Sequence, residues 1–171
     1  MRTMTTNPAA EPNLVFYKRC VIDLATGVSC VKEVPCLNLE DVLGGFGRSF
    51  QMLETREVSD AYSDANPLIM NTGLLTGSNF MTGMRIFFSA YSPIKKSKQG
   101  LPAAIWSTGS GKFGYKFKWT GLDEVVFENR SDKSVYVLLR EGTDEPQIEI
   151  KSAEHLLGLT THEKIMALQE K

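Results

Sequence analysis

A loop rich in glycine and small polar residues constrains this chain most strongly. The loop spans residues 73–85, holds three glycines and ends on Arg85. Short apolar runs flank it at residues 67–70 and 86–91. Apolar runs bounded by turn residues are typical of buried strands, so we predict two strands joined by a long connection.

Glycine lets a backbone approach a ligand closely, and exposed N–H groups in such loops can face an anion. Arg85 would add a planar fork of donors suited to a phosphate or a flat heterocycle. The alternative interpretation is a solvated connection between strands, with Arg85 as an ordinary surface residue. The residues alone leave both interpretations open.

The composition is that of an ordinary globular chain. Its 171 residues, 42% hydrophobic and 23% charged, fit one domain with a sizeable core. We expect a disordered tail over residues 1–13 and a single domain over residues 14–171. The net charge of −1 implies no general attraction to nucleic acid or membrane. We see neither an apolar leader nor a run long enough to cross a bilayer, and therefore expect a cytoplasmic protein.

The periodicity predicts an α+β fold, mostly β-sheet with short helices. A hairpin is predicted from 14–24 and 28–34, and a loop is predicted over 91–100. Short helices are predicted at 113–120 and 153–157, with a capping box at 160–163 opening a last helix. Further strands are predicted at 68–70, 84–91, 101–106, 124–128, 134–139 and 147–151.

One longer helix is predicted from an N-cap at Asn38 to about Leu53. Gly44, Gly45 and Gly47 oppose this helix, at about 1 kcal/mol each relative to alanine. A broken helix or a helix–loop–helix is the alternative. A helix that keeps three glycines indicates close packing of its backbone against something.

Several kinds of site are excluded or disfavoured by the residues. The stretch 109–112 reads Gly-Ser-Gly-Lys, but Trp106 and Phe113 stand where a P-loop needs glycine and Ser or Thr. His155 and His162 flank Gly158, which disfavours a shared metal site. We predict no catalytic residue and structural roles for the cysteines, whose spacing fits no zinc or iron–sulfur pattern. They are Cys20, Cys30 and Cys36.

A series of short segments, in order along the chain, resembles the N-terminal domain of the tungsten-containing aldehyde:ferredoxin oxidoreductases. The segments around the loop are NPLI at 66–69, TGLLTG at 72–77 and GMR at 83–85. Upstream are IDLATG at 22–27 and LGGFG at 43–47. Downstream are SPI at 92–94, SGKFG at 110–114, GLDEVV at 121–126 and KSVYV at 133–137. No segment is decisive alone, but their order is specific.

The resemblance implies a mostly β domain that cradles tungsten or molybdenum. Two pterin dithiolenes would hold this metal, and magnesium would bridge the phosphates of the two pterins. The arginine matching Arg85 would lie between pterin and iron–sulfur cluster. The backbone carbonyl of Thr108 would bind magnesium. The cofactor-binding residues implied are Gly83, Arg85, Thr108, Gly109, Ser110 and Gly111. The family has asparagine at the position of Thr108 and arginine at that of Phe46.

The function implied is the cofactor-cradling base, or small subunit, of an enzyme that oxidises aldehydes to carboxylic acids. A partner would carry the iron–sulfur cluster and pass electrons to ferredoxin. The chain alone is expected to hold no cofactor and to be inactive. The alternative is a free-standing, non-catalytic binding or scaffold protein derived from that domain, with the cofactor lost. Either form is compatible with a homo-oligomer.

Overall fold

The computed structural model describes residues 15–36, 42–80 and 83–169. Six strands form the main sheet, and two more form a separate hairpin. The sheet contains β1 (Val15–Asp23), β2 (Val28–Cys36), β3 (Leu68–Thr72), β4 (Ile86–Lys96), β5 (Pro102–Gly109) and β6 (Glu124–Glu128). The hairpin is β7 (Val135–Arg140) with β8 (Gln147–Ser152). The helices are α1 (Gly45–Glu54), α2 (Lys112–Trp119) and α3 (Thr161–Gln169), with a 3₁₀ turn at Glu154–Leu156.

The sheet is mixed, and its strand order is β2-β1-β6-β3-β4-β5. β6 lies between β1 and β3, parallel to β1 and antiparallel to β3. The remaining neighbours are antiparallel: β1 pairs with β2, β3 pairs with β4, and β4 pairs with β5. This arrangement confirms the predicted α+β class dominated by sheet.

Each face of the sheet carries its own apolar core, because successive side chains of a strand point to opposite faces. On one face, Ile69 and Val126 pack with Leu53 of α1. On the other, α2 and the β7–β8 hairpin cover a larger cluster around Met70 and Val125. We call these the α1 face and the α2 face. The members of the larger cluster are Cys20, Ile22, Met70, Ile86, Phe117, Leu122 and Val125.

The helix predicted from Asn38 begins later, at Gly45, in the part of the chain that the structure describes. Asn38 itself lies outside the described residues. Gly44 forms a β-bridge with Gly73 and has a φ of 98°, which ends any helix preceding it. A Cβ on Gly44 would lie 2.9 Å from the Thr72 carbonyl oxygen. Gly44 and Gly45 thus serve close packing, as the glycine content of the predicted helix indicated, and the helix begins later than predicted.

The predicted loop at 91–100 is partly wrong, because β4 continues to Lys96. The register between β4 and β5 shifts after Tyr91, and the Ser92 hydroxyl accepts the N–H groups of Ile94 and Lys95. This irregular, exposed end of the strand lacks the apolar alternation that would have revealed it.

The structure agrees with most of the predictions for the C-terminal segment. The Glu163 carboxylate accepts the Thr160 N–H at 2.7 Å, and the Thr160 hydroxyl accepts the Glu163 N–H at 3.4 Å. The capping box is therefore present. The helix predicted at 153–157 is the shorter 3₁₀ turn. The predicted tail at 1–13 lies outside the described residues. Across the described ranges, no helix is long and apolar enough to cross a membrane.

Candidate functional site

A cavity of about 700 Å³ lies on the α1 face, where the start of α1 meets the glycine-rich loop. Arg85 contributes the charged side chain among the residues that line it. The backbone of four glycines and several apolar side chains make up most of the remaining wall. These residues are Leu43, Gly44, Gly45, Phe46, Gly73, Leu74, Leu75, Phe80, Gly83 and Phe87.

The loop that forms one wall is held by its own hydrogen bonds. The Thr76 hydroxyl donates to the Arg85 carbonyl at 3.1 Å, and the Gly77 N–H donates to the Gly83 carbonyl at 2.9 Å. A Cβ on Gly83 would lie 2.6 Å from the Leu75 carbonyl oxygen. Gly83 is therefore needed for the packing of the loop itself, which fixes the backbone that carries Arg85.

Arg85 and Thr108 lie on the same face of the sheet. Ile86 pairs with Gly109 and Phe87 with Thr108, and Phe87 lines the same cavity as Arg85. Residues 85 and 87 share a face by alternation, and paired residues do too. The Arg85 side chain is exposed, and within the described ranges no carboxylate lies within 4.0 Å of it.

The turn at 108–111 joins the end of β5 to the start of α2. Gly111 has a φ of 89°, and the space beside its Cα is open. A Cβ on Gly114 would clash with the Met84 carbonyl, so α2 packs directly on the strand entrance that holds Arg85. Of the cofactor residues predicted from the sequence, Gly83 and Arg85 line the cavity. The others, Thr108, Gly109, Ser110 and Gly111, follow one another at the end of β5 that pairs with Ile86 and Phe87, and they do not line the cavity. Their binding of a cofactor stays a prediction.

Aromatic rings border the cavity, a feature that sequence reasoning missed. Phe46 stacks on Trp106, with ring centroids 5.2 Å apart and planes 18° from parallel. Phe87 lies 5.9 Å from Phe46. Phe46 and Trp106 remain 44% and 48% exposed. Gly45 leaves room for the Phe87 ring, which a Cβ there would approach to 3.0 Å. Alternation along β4 and β5 would have placed Phe87 and Trp106 on one face.

A buried charge network lies beneath α1. Glu124 is fully buried and accepts a hydrogen bond from Arg19 Nε at 2.6 Å. Its other oxygen lies 3.5 Å from Arg48 Nε of α1. The Arg48 guanidinium lies 4.9 Å from the centre of the Tyr17 ring. Burial raises the pKa of Tyr17 to about 12. This network links α1 to β1 and β6. No local sequence pattern predicted these ion pairs.

The cysteines are all unpaired thiols. Cys20 and Cys36 are buried, and Cys30 is exposed. Burial raises the pKa of Cys20 to about 11, so this thiol stays protonated at neutral pH. Among the residues that the structure describes, no three His, Cys, Asp or Glu side chains are grouped to hold a metal ion.

Comparison with known proteins identifies the family of this chain. Residues 19–171 match the model of the aldehyde ferredoxin oxidoreductase N-terminal domain. The chain belongs to this family. The resemblance inferred from the short segments is therefore confirmed.

Curated relatives of this aldehyde ferredoxin oxidoreductase N-terminal domain are tungsten-containing aldehyde ferredoxin oxidoreductases. The protein of Thermococcus kodakarensis is 30% identical over 151 residues, which cover 87% of this chain and 23% of the relative. That of Pyrococcus abyssi is 33% identical over 126 residues, covering 74% and 19%. That of Pyrococcus furiosus is 32% identical over 140 residues, covering 80% and 21%. The chain thus spans about a quarter or less of these relatives.

A solved structure shares the fold. It is the active site complex BamBC of benzoyl coenzyme A reductase with 1,5-dienoyl-CoA. The TM-score is 0.77 at 26% identity, over 91% of this chain and 23% of the matched chain. A domain of this fold therefore also occurs within a larger chain of that complex.

Proposed function

We propose that this chain is the cofactor-cradling base of a tungstopterin or molybdopterin aldehyde:ferredoxin oxidoreductase, completed by a partner that carries the iron–sulfur cluster. The observation that supports it is the position of Arg85 at an open cavity, on the face of the sheet where Phe87 pairs with Thr108. An exposed arginine without a carboxylate partner in the described ranges is free to bind an anionic ligand.

The residues present suit a phosphate-bearing, flat cofactor in two respects. Arg85 offers a guanidinium fork, and the open backbone at Gly111 leaves room for a bulky group at the start of α2. The carbonyl of Thr108 is retained despite the change from the family's asparagine, because every residue has one. When bound, the metal and its pterins would supply the two-electron chemistry, while this chain would bind and orient them.

A broad apolar surface surrounds the cavity, and we propose that the partner covers it. Phe80 is 67% exposed, and Leu43 and Leu75 are also more than half exposed. Exposed apolar patches of this kind mark interaction sites more often than free surface. A partner seated there would exclude water from Arg85 and strengthen its interaction with an anionic ligand.

The proposal is tested by anaerobic purification of the tagged chain from the cells that produce it. We expect a larger partner to co-purify, with iron and tungsten or molybdenum in fixed ratio to the chain. Arg85→Ala should lower the metal content severalfold and leave the partner bound. Arg130→Ala is the control, because Arg130 is an exposed arginine that reaches Asp64 only at 3.8 Å. Recovery of the chain alone and without metal would contradict the proposal.

A second candidate is a non-catalytic scaffold that has lost the cofactor. Phe46 favours it, because an aromatic ring stands where the resembling family has an arginine and stacks on Trp106. Such a stack fills part of the face that a cofactor would use. Phe46→Arg discriminates the two functions. In a cofactor-binding base it should preserve or raise the metal content, whereas in a scaffold it should only weaken partner binding.

A further inference from the structure

A second cavity, of about 630 Å³, lies on the α2 face, on the other side of the sheet from Arg85. Met70 and Phe127 of the sheet contribute to its floor. Helix α2 forms one wall and strand β7 the other. Its volume falls in the range of small-molecule sites, about 300–1,000 Å³. The residues of β7 that line it are only partly buried.

One stripe of α2 faces this cavity. It consists of Phe113, Lys116 and Phe117, and it continues to Thr120 directly after the helix. These residues are spaced as neighbours along one side of a helix. Phe117 is buried, whereas Phe113 and Lys116 are exposed. The stripe therefore runs from the apolar floor to the mouth of the cavity and places an ammonium group at the mouth.

The other polar side chains at this cavity are already engaged. Asn66 donates to the carbonyls of Ala61 and Tyr91 and accepts the Tyr91 N–H. The Thr120 hydroxyl donates to the Phe117 carbonyl. Asn129 hydrogen-bonds Asp23, which lowers the pKa of that carboxyl.

Lys116 differs from these groups. No acidic residue lines the cavity, and no carboxylate of the described residues lies within 4.0 Å of the Lys116 ammonium. The cavity therefore combines an apolar interior with one lysine ammonium at its rim, and this ammonium has no carboxylate partner among the described residues.

We propose that this cavity binds an amphiphile with an apolar body and one anionic group, which Lys116 engages at the mouth. An apolar lining favours alkyl or ring carbon over sugars, whose hydroxyls would lose hydrogen bonds to water. The absence of lining carboxylates disfavours cationic ligands. The cavity lies across the sheet from Arg85, so this site is separate from the proposed cofactor cradle.

The test is calorimetric titration of the whole chain with octanoate and with 1-octanol, which share an apolar body and differ in charge. We expect saturable octanoate binding that Lys116→Gln weakens about fivefold, with octanol binding unchanged. Lys112→Gln is the matched control, because Lys112 begins the same helix but does not line the cavity. Val137→Trp should fill the cavity and abolish binding of both probes, because Val137 lines the cavity and packs against the core of the α2 face.

Four results would overturn the proposal. The first three are octanol binding as tight as octanoate binding, equal effects of Lys116→Gln and Lys112→Gln, and octanoate binding that survives Val137→Trp. The fourth is a chain dimer that Val137→Trp dissociates, which would assign the cavity to a second copy. Near-UV circular dichroism checks folding, and the surface change Lys116→Gln remains decisive if Val137→Trp does not fold.

Discussion

Replacement of Glu124 by glutamine tests the buried network most directly. The carboxylate is fully buried and faces two guanidinium groups, of Arg19 at 2.6 Å and Arg48 at 3.5 Å. Glutamine keeps the shape but removes the charge, which leaves two largely buried cations without compensation. Removing one partner of a buried ion pair costs about 3–5 kcal/mol. We take about 3 kcal/mol, because both arginines retain some contact with solvent.

The loss is measured by urea denaturation, and in a chain of this length it corresponds to a fall in Tm of roughly 6–12 °C. Glu128→Gln is the control on the same strand, since Glu128 pairs with Arg56 at 2.5 Å but both side chains are about a third exposed. That change should cost about 0.5 kcal/mol. Adding Arg48→Met to Glu124→Gln should recover part of the loss. Equal costs for Glu124→Gln and Glu128→Gln would refute the reasoning.

Three further predictions concern the chain as purified. Burial raises the pKa of Tyr17 from 10.0 to about 12, so between these pH values the folded state keeps a proton that the unfolded state loses. The free energy of unfolding should therefore fall as the pH rises. Tyr17→Phe should reduce this pH dependence in guanidinium titrations at pH 9–11. The isolated chain should contain no stoichiometric iron or tungsten and reduce no dye with aldehyde, because a cluster needs about four thiolates and the chain has three cysteines; elemental analysis with an anaerobic dye assay checks this. The exposed Phe80, Met84, Phe113 and Trp119 should drive self-association; a clean monomer at high concentration in light scattering would count against it.

Local sequence signals predicted most of the strands. Residues favouring extended geometry in 14–24 and rough alternation in 28–34, separated by a turn, predicted the first hairpin, which the structure has at Val15–Asp23 and Val28–Cys36. Gly121 marked the end of α2. These elements are specified by residues close together in the chain. The start of α1 was misplaced because a long-range bridge between Gly44 and Gly73 decides it, and such a bridge leaves no local periodicity.

The candidate site was predicted only in part. Glycines and one arginine mark Arg85 and the 108–111 turn locally, and the binding of a cofactor by these residues stays a prediction. The Phe46–Trp106 stack and the Glu124 network were missed because each joins segments about 60 or more residues apart in the chain. A lone phenylalanine or glutamate carries no signal of its partner. Packing of α1 against the sheet creates the stack, and the same packing together with the pairing of β1 with β6 creates the network.

The position of β6 has a consequence for the order of assembly. This strand joins the β1–β2 hairpin to the β3–β4–β5 meander, and the sheet order gives β1 and β3 no direct pairing. During synthesis β1 ends at Asp23 and β3 ends at Thr72, well before β6 begins at Glu124. Until β6 arrives, β1 and β3 each present an open edge that can template aggregation. Fragments that end before Glu124 should therefore be insoluble, whereas fragments that end after the β7–β8 hairpin can close the sheet.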